Sequence, residues 1–226
     1  MRLSSRPVET FFQTWTPEMA YVLGYFAADG YMYRNPRGSH YVGFVSTDEE
    51  LVRLVRSLIG TLNSIEVYRP KNKNWKTRYT LQVGSRKIFE TLSDLGFSPA
   101  KSLTVSFPLV PLSVLSHFVR GYFDGDGCLS FGTYARKNRK SKAQVLFARF
   151  ISGSEYFLKG LQSALLLGEI GPGSLGHHGK NFRLQYGMHD SFRLYKLMYP
   201  TYAVPCLLRK REKFERGLVV MSGPVV

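Results

Sequence analysis

The order of apolar and polar positions predicts the same series of elements twice along the chain. Each half opens with a strongly apolar helix, continues with two strand-like stretches and an amphipathic helix, and closes with a second strand pair and a short helix. In the first half we expect a helix that ends near Gly30, strands near 31–33 and 40–46, a helix around 51–58, strands near 65–69 and 78–83, and a helix near 85–95. In the second half we expect a helix that ends near Gly127, strands near 129–134 and 144–151, a helix around 157–165, strands near 169–175 and 181–187, and a helix near 189–198. The pattern therefore predicts an α+β fold made of two copies of one unit.

Short sequence matches in the same order support this duplication. Residues 21–30 read YVLGYFAADG and residues 118–127 read FVRGYFDGDG, at an offset of 97 positions. Two further pairs of similar tetrapeptides follow, at 44–47 and 150–153 and at 81–84 and 184–187. Three matched landmarks in one order indicate an internal repeat.

Prolines mark the boundary between the two copies. Pro108 and Pro111 enclose a short linker, and the aromatic side chains of Phe11, Phe12 and Trp15 are expected to order an N-terminal arm. We therefore divide the chain into arm, first repeat, linker, second repeat and C-terminal tail, at residues 1–15, 16–107, 108–112, 113–216 and 217–226.

Small residues lie four positions apart in both opening helices. They are Gly24 and Ala28 in the first helix, and Gly121 and Gly125 in the second. Residues at this spacing share one helix face and allow two backbones to approach closely. We therefore expect the two helices to pack against each other at the centre of the molecule.

Each of these helices ends in Asp-Gly, at Asp29-Gly30 and at Asp126-Gly127. The glycines suit the left-handed position that often follows a helix. The aspartates would lie at helix C-termini, where the helix dipole is already negative. Two such carboxylates side by side favour cations, and oxygen ligands suit Mg²⁺. The alternative is that each Asp only shapes the turn before a glycine.

Composition narrows the class of protein. The chain has 226 residues, 44% of them hydrophobic, and 31 Lys and Arg against 16 Asp and Glu give a formal net charge of +15. These values exclude a collagen, a coiled coil and a disordered chain, and no apolar run approaches the ~18 residues of a membrane span. The charge predicts nucleic acid as the partner, and no membrane. Cys128 and Cys206 fit a reducing compartment, so we expect an intracellular protein, bacterial or organellar.

Both Asp-Gly helices resemble the motif of a known family. Val22–Gly30 reads VLGYFAADG and Val119–Gly127 reads VRGYFDGDG, and both are similar to the LAGLIDADG motif of homing endonucleases. The resemblance extends from about Thr16 to Arg216 and is to the branch in which one chain carries two motifs, the meganucleases. Ala27 departs from the motif, because the family usually has an aspartate there that supports helix packing or capping.

The resemblance implies a fold and an activity. It implies αββαββα units whose antiparallel sheets form a saddle over double-stranded DNA, with Asp29 and Asp126 each binding a divalent ion and the carbonyls of Ala28 and Gly125 assisting. Two or more Mg²⁺ ions are implied, with Mn²⁺ or Ca²⁺ able to substitute in binding. The implied reaction hydrolyses one phosphodiester on each strand across the minor groove and leaves short 3′ overhangs, carried out by a monomer on a long, partly asymmetric site.

A basic catalytic residue in each repeat is also implied by the resemblance. Lys101 is the candidate in the first repeat, and Lys210 or Arg209 in the second. Each of these cations could instead be a surface charge or a phosphate contact. Asp48 and Ser154, just past matched strand ends, are weaker candidates for a supporting role.

Two basic runs are expected to contact DNA. Residues 69–78 and 134–142 each hold five basic residues and no acid, and we place both at equivalent hairpin tips. Solvated loops are the alternative, whereas Lys and Arg on phosphates and polar strand residues on base edges are typical of DNA binding. The candidate DNA contacts are Tyr33, Arg34, Arg69, Lys71, Lys73, Lys76, Arg78, Gln82, Arg136, Lys137, Arg139, Lys140, Lys142, Arg149, Lys180, Arg183 and Gln185.

Other functions on the same scaffold remain open from sequence alone. An intron-RNA maturase or a non-cleaving DNA-binding regulator would be expected to lose one or both acids, whereas Asp29 and Asp126 are both present. An unrelated basic RNA-binding protein would need another reason for the duplicated helices. Because the chain starts with Met1 and shows no splicing-domain blocks, we expect a free-standing protein.

Overall fold

The computed structural model of the chain describes residues 9–99, 104–135 and 142–222. Within these ranges it contains seven helices and eight strands, in two αββαββα units followed by one further helix. The first repeat consists of α1 (Pro17–Asp29), β1 (Gly30–Arg34), β2 (His40–Ser46), α2 (Glu49–Ile59), β3 (Ile65–Tyr68), β4 (Arg78–Gly84) and α3 (Arg86–Asp94). The second repeat consists of α4 (Leu112–Asp126), β5 (Gly127–Ala135), β6 (Lys142–Ser152), α5 (Glu155–Leu167), β7 (Ser174–His178), β8 (Asn181–Tyr186) and α6 (Met188–Met198), with α7 (Leu208–Ser222) after it. The predicted α+β fold class is confirmed.

Each repeat contains one four-stranded antiparallel sheet, with the same strand order in both. The order is β1-β2-β4-β3 in the first sheet and β5-β6-β8-β7 in the second. Val42, Phe44, Leu81 and Val83 of the first sheet are buried, under helices α2 and α3, whereas Gln82 between the last two is partly exposed. Because side chains alternate along a strand, one face of the sheet is covered by helices and the other is open.

The two opening helices, α1 and α4, pack at the centre with their backbones in direct approach. A Cβ atom placed on Gly24 would lie 2.0 Å from the carbonyl oxygen of Phe118, and one on Gly121 would lie 1.9 Å from that of Tyr21. The two approaches are reciprocal, because Tyr21 and Phe118 occupy matching positions of the repeat. The small-residue faces therefore meet in the arrangement that their spacing predicts.

The glycines that follow these helices have a different role from the predicted one. Gly30 has φ −82° and Gly127 has φ −80°, so neither is in the left-handed region. Each begins a strand directly, and the constraint is space. A Cβ atom on Gly30 would lie 2.1 Å from the ring of Phe26, and one on Gly127 would lie 2.3 Å from the ring of Phe123. Glycine is required here because a phenyl ring packs against its α-carbon.

Several boundaries of helices and strands in the structure differ from the predicted ones. The strand expected near 169–175 is instead Ser174–His178, because Glu169 and Gly173 have positive φ and break the extended chain before it. The second repeat begins at Leu112, within the predicted linker. The predicted tail starts inside α7, which continues to Ser222.

No helix among the described residues is both long and apolar enough to cross a bilayer.

Adding a methyl group at Gly24 should separate the central helices. In Gly24→Ala the new Cβ meets a backbone carbonyl that no rotamer change can move, so we expect a loss of about 3 kcal/mol of unfolding free energy, measured by urea denaturation. Gly176→Ala is the control, because a Cβ there meets nothing within 4 Å. Equal stability of the two variants would contradict the close helix approach.

Candidate active site and nucleic-acid interface

The carboxyl-terminal ends of α1 and α4 bring Asp29 and Asp126 to the same place. A Cβ atom on Gly125 would lie 3.3 Å from Oδ2 of Asp29 and 2.5 Å from Cβ of Ala28, so the end of one helix touches the end of the other. The charges of both carboxylates also affect the same tyrosine, Tyr25. Burial is the main cause that raises the pKa of Tyr25, and the charges of Asp29 and Asp126 both add to it.

The residues at this point fit a divalent cation. Asp29, Asp126, Ala28 and Gly125 together offer carboxylate and carbonyl oxygens, the ligand type that Mg²⁺ prefers. Clusters of three or more His, Cys, Asp and Glu side chains that could hold a metal do not occur in the described part of the chain. Any ion here would therefore depend on two carboxylates, backbone oxygens and the substrate's own phosphate.

Lys210, on the first turn of α7, lies on the end of α4. Its Nζ donates to the carbonyl oxygens of Phe123, Gly125 and Gly127, at 2.7, 2.9 and 2.8 Å. An ammonium ion at a helix C-terminus is favourable, since the dipole there is negative. Burial lowers the pKa of Lys210 to about 8, although the nearby carboxylates of Asp124 and Asp126 oppose this shift.

Arg209, the alternative basic candidate, faces elsewhere. Its Nε donates to Oδ1 of Asp48 at 2.7 Å and its Nη2 donates to Oδ2, so the pair is bidentate. The hydrogen bond from Arg209 holds the pKa of Asp48 below its ordinary value, and the charges of Lys210 and Lys76 act in the same direction. The structure thus places Lys210 on the helix end next to Asp126, and it pairs Arg209 with Asp48 of the first repeat.

Ser154 occupies the position in the second repeat that Asp48 occupies in the first. Its hydroxyl donates to the carbonyl of Val105 at 2.7 Å and accepts from the amide of Phe157. It therefore caps α5 and is buried. The two matched positions have diverged into an ion pair and a helix cap.

Asp124 lies at the motif position where the resemblance implies an aspartate that supports helix packing or capping, but sequence reasoning named no partner for it. It is 1% exposed, and its Oδ2 accepts from the Tyr21 hydroxyl and from the Leu207 amide, both at 2.7 Å. Burial raises its pKa to about 6, against the effect of these two hydrogen bonds. The sequence did contain a signal for this difference, because the two motifs diverge here, with Asp124 in the second repeat and Ala27 at the matched position of the first.

A row of three residues crosses the open face of the first sheet next to Asp29. Tyr31, Gly43 and Gln82 are paired across β1, β2 and β4. The Tyr31 ring lies over Gly43, where a Cβ would come within 2.1 Å of it, and its hydroxyl donates to Oε1 of Gln82 at 2.9 Å. The glutamine is thereby oriented on the open face.

The second sheet has the corresponding row next to Asp126, with different residues. Cys128, Arg149 and Gln185 are paired across β5, β6 and β8. Arg149 donates from Nε to Oε1 of Gln185 at 2.7 Å, and from Nη1 to the hydroxyl of Ser130 at 2.9 Å. Both matched glutamines therefore accept a side-chain hydrogen bond, Gln82 from β1 across the intervening β2 and Gln185 from the adjacent β6.

Most of the other predicted DNA contacts are exposed at strand ends and turns. Tyr33 is 47% exposed and stacks on Tyr41, with ring centroids 6.1 Å apart. Arg183 is half-buried, and its Nε has no hydrogen-bond partner among the described residues. Among the predicted contacts that the structure describes, the exposed cations are Arg34, Arg69, Lys71, Lys73, Lys76, Arg78 and Lys180.

The two basic runs do not lie at equivalent places, so that prediction is wrong. Residues 69–77 connect β3 to β4 at the sheet end that carries Asp29, because Ser46 pairs with Tyr79 there. The second run connects β5 to β6 at the far end of its sheet, where Ala135 pairs with Lys142. The error arose because the runs were matched by charge density, whereas the predicted strands already place the first run in the second hairpin of its repeat and the second run in the first hairpin of its repeat.

Several predicted residues lie outside the part of the chain that the structure describes. They are Lys101, Arg136, Lys137, Arg139 and Lys140, and the side chain of Lys142 belongs with them.

Comparison with protein families gives a match to the first repeat. Residues 16–95 match the model of the LAGLIDADG-like domain. A stretch of 139 residues, 58% of the chain, is 30% identical to one of the subunits of the A-type ATP synthase of Methanopyrus kandleri strain AV19. That stretch spans 13% of the synthase polypeptide, so the chain corresponds to a small part of its length.

Solved structures are similar over nearly the whole chain. The I-LtrWI LAGLIDADG homing endonuclease bound to target DNA is 14% identical with a TM-score of 0.61, over 92% of this chain and 91% of that one. The homing endonuclease I-WcaI, bound to its DNA recognition sequence, is 14% identical with a TM-score of 0.59, over 94% and 92%. I-SmaMI, bound to an uncleaved DNA target in the presence of calcium ions, is 11% identical with a TM-score of 0.59, over 92% of both chains. These likenesses show a shared fold.

Neutralising the β3–β4 connection should weaken nucleic-acid binding without changing sequence preference. If Lys71, Lys73 and Lys76 contact phosphates as the sequence predicts, Lys71→Gln/Lys73→Gln/Lys76→Gln removes three such contacts, so the slope of log affinity against log salt should fall by about 2 to 3. The measurement is a salt titration of duplex binding.

A charge-matched variant controls for the loss of positive charge itself. Lys87, Lys159 and Lys196 are exposed on α3, α5 and α6, the helices that lie on the covered side of the sheets. Their replacement by Gln should leave the slope almost unchanged. Equal losses in the two triple variants would contradict a DNA contact at 69–77.

Proposed function

We propose that the chain, whose residues 16–95 match the LAGLIDADG-like domain and whose two-repeat fold is shared with LAGLIDADG homing endonucleases, belongs to that family and is a site-specific endonuclease of double-stranded DNA. The observation that carries the proposal is the meeting of Asp29 and Asp126 at the paired ends of α1 and α4. A duplicated carboxylate at a shared point suits the hydrolysis of one phosphodiester on each strand.

The two aspartates and the adjoining carbonyls of Ala28 and Gly125 would hold divalent cations, with Mg²⁺ as the favoured ion. The Gly125 carbonyl, which accepts from Lys210, would offer its second lone pair to the ion. When bound, such ions supply charge neutralisation at phosphate and an activated water. No His, Cys or Ser nucleophile is then needed.

The protein's own residues supply position and charge around that point. Lys210 places a proton-bearing amine against the end of α4, next to Asp126. Its lowered pKa of about 8 keeps the proton available to an oxygen that leaves with negative charge. Arg209 and Asp48 join the start of α7 to the first repeat, so that the lysine is held relative to both carboxylates.

The open faces of the two sheets would bind the duplex. The Tyr31–Gln82 and Arg149–Gln185 pairs present oriented amides beside the carboxylates, where they can meet base edges. The exposed cations around them would bind phosphates. We expect one monomer to cover a long target whose halves differ in sequence, and to leave short 3′ overhangs.

A cleavage selection on randomised duplexes in Mg²⁺ would test the activity and identify the target together. We expect a specific cut in Mg²⁺ that EDTA abolishes. Sequence-specific binding without cleavage, in Mg²⁺ and in Mn²⁺, would favour a regulator on this scaffold and refute the endonuclease.

Replacing either motif aspartate should stop cleavage and preserve binding. In Asp126→Asn or Asp29→Asn the carboxylate charge is lost while the shape is kept, so double-strand cleavage should fall below about 1% of the wild-type rate. A residual single-strand nick is compatible with this result. The assay is strand-resolved cleavage of a doubly labelled duplex.

Asp94→Asn is the matched control. Asp94 is also the last residue of a helix, α3, but it is exposed and lies outside the central helix pair. We expect wild-type cleavage for this variant. If Asp126→Asn cleaved both strands at the rate of Asp94→Asn, the assignment of the active site would be wrong.

A further inference from the structure

The start of α7 is joined to the central helices by a polar contact that only one repeat possesses. Asp124 on α4 accepts from the amide of Leu207, the residue immediately before α7, and from the hydroxyl of Tyr21 on α1. Lys210 follows Leu207 by three residues and contacts the end of α4. One carboxylate oxygen therefore ties α1, α4 and the segment that carries the lysine.

This contact requires the burial of a carboxylate, which is unfavourable for folding. Tyr21 is fully buried and Asp124 is 1% exposed. Of the two carboxylate oxygens, Oδ1 is buried without a hydrogen-bond partner among the described residues. A buried carboxylate with an unsatisfied oxygen destabilises the folded state relative to a well-packed apolar group, because no hydrogen bond offsets the loss of water at that oxygen. Such a group needs a reason other than stability.

The first repeat shows that the helix pair can do without it. The positions that match Tyr21 and Asp124 are Phe118 and Ala27, both apolar and both buried. The helix backbones approach equally closely on both sides. A Cβ atom on Gly24 would lie 2.0 Å from the nearest carbonyl oxygen, and one on Gly121 would lie 1.9 Å from its own. Helix packing is thus the same beside the apolar Phe118–Ala27 pair and beside the polar Tyr21–Asp124 pair. What the polar pair adds is the hydrogen bond to the segment before α7.

We propose that Tyr21 and Asp124 are positioning residues, which hold Lys210 against the end of α4 through the Leu207 amide. The proposal rests on the proposed function only where it links the position of Lys210 to cleavage. It makes the second repeat's lysine dependent on a buried polar contact whose place in the first repeat is taken by an apolar pair.

The first test needs no DNA. The variant Tyr21→Phe/Asp124→Ala gives this position the same residues as its symmetry-related counterpart, Phe118 and Ala27, so we expect it to fold. In competitive acetylation followed by mass spectrometry, the amine of Lys210 should react about 5- to 10-fold faster than in the wild type, the factor that corresponds to one lost hydrogen bond. Lys213, exposed on the same helix, is the internal control and should not change. A folded variant with unchanged Lys210 reactivity overturns the proposal, and so does a variant that fails to fold.

A conservative replacement separates the hydrogen bond from the charge. Asp124→Asn keeps one oxygen that can accept from the Leu207 amide, so we expect Lys210 reactivity within about 2-fold of wild type. If Asp124→Asn exposed Lys210 as much as the double replacement does, an anchor through this hydrogen bond would be refuted.

The second test asks whether the pair acts through Lys210 in catalysis. Exchange of the pair should slow cleavage roughly 10- to 100-fold, as a displaced catalytic group does, with duplex affinity unchanged. In a Lys210→Met background the same exchange should have no further effect. Equal falls in both backgrounds would mean a general structural defect and would overturn the proposal. A wild-type protein that cleaves no duplex would refute the proposed function instead, while acetylation still decides the positioning role.

Discussion

The close approach of α1 and α4 is the constraint on which the rest of the molecule depends. Two glycines, Gly24 and Gly121, let each helix backbone come against a carbonyl of the other. Because the approach is reciprocal, it aligns the two helix ends, and each end delivers an aspartate followed directly by a strand. The position of each sheet and the meeting of the carboxylates therefore both follow from one backbone contact.

Much of this was predictable because it depends on local pattern. The series of helices and strands follows from hydrophobic periodicity, and the helix pair follows from small residues four positions apart. The conformation of Gly30 was not predictable in this way, because an Asp-Gly sequence fits a left-handed turn as well as a strand start. Glycine is needed at position 30 because the ring of Phe26 packs against the α-carbon of Gly30. Residue spacing along the sequence does not predict this contact.

The site was predictable only as far as its residues lie in the motif. Asp29 and Asp126 could be placed at helix ends, whereas the choice between Lys210 and Arg209 could not be made from adjacent cations in one segment. Their partners come from distant parts of the chain, and the bidentate contact of Arg209 with Asp48 spans the two repeats. For the same reason the partners of Asp124 could not be named from the sequence, since Leu207 and Tyr21 reach it only in the folded chain.

The connection at 69–77 has no counterpart of similar length in the second repeat, where Gly179 and Lys180 alone join β7 to β8. The long connection lies at the inner end of its sheet, close to the carboxylates, and it adds positive charge on one flank only. The positive charge at the inner ends of the two sheets is therefore unequal between the repeats. A rod-shaped polyanion lying across both sheets would therefore be attracted more strongly over the inner end of the first sheet than over that of the second.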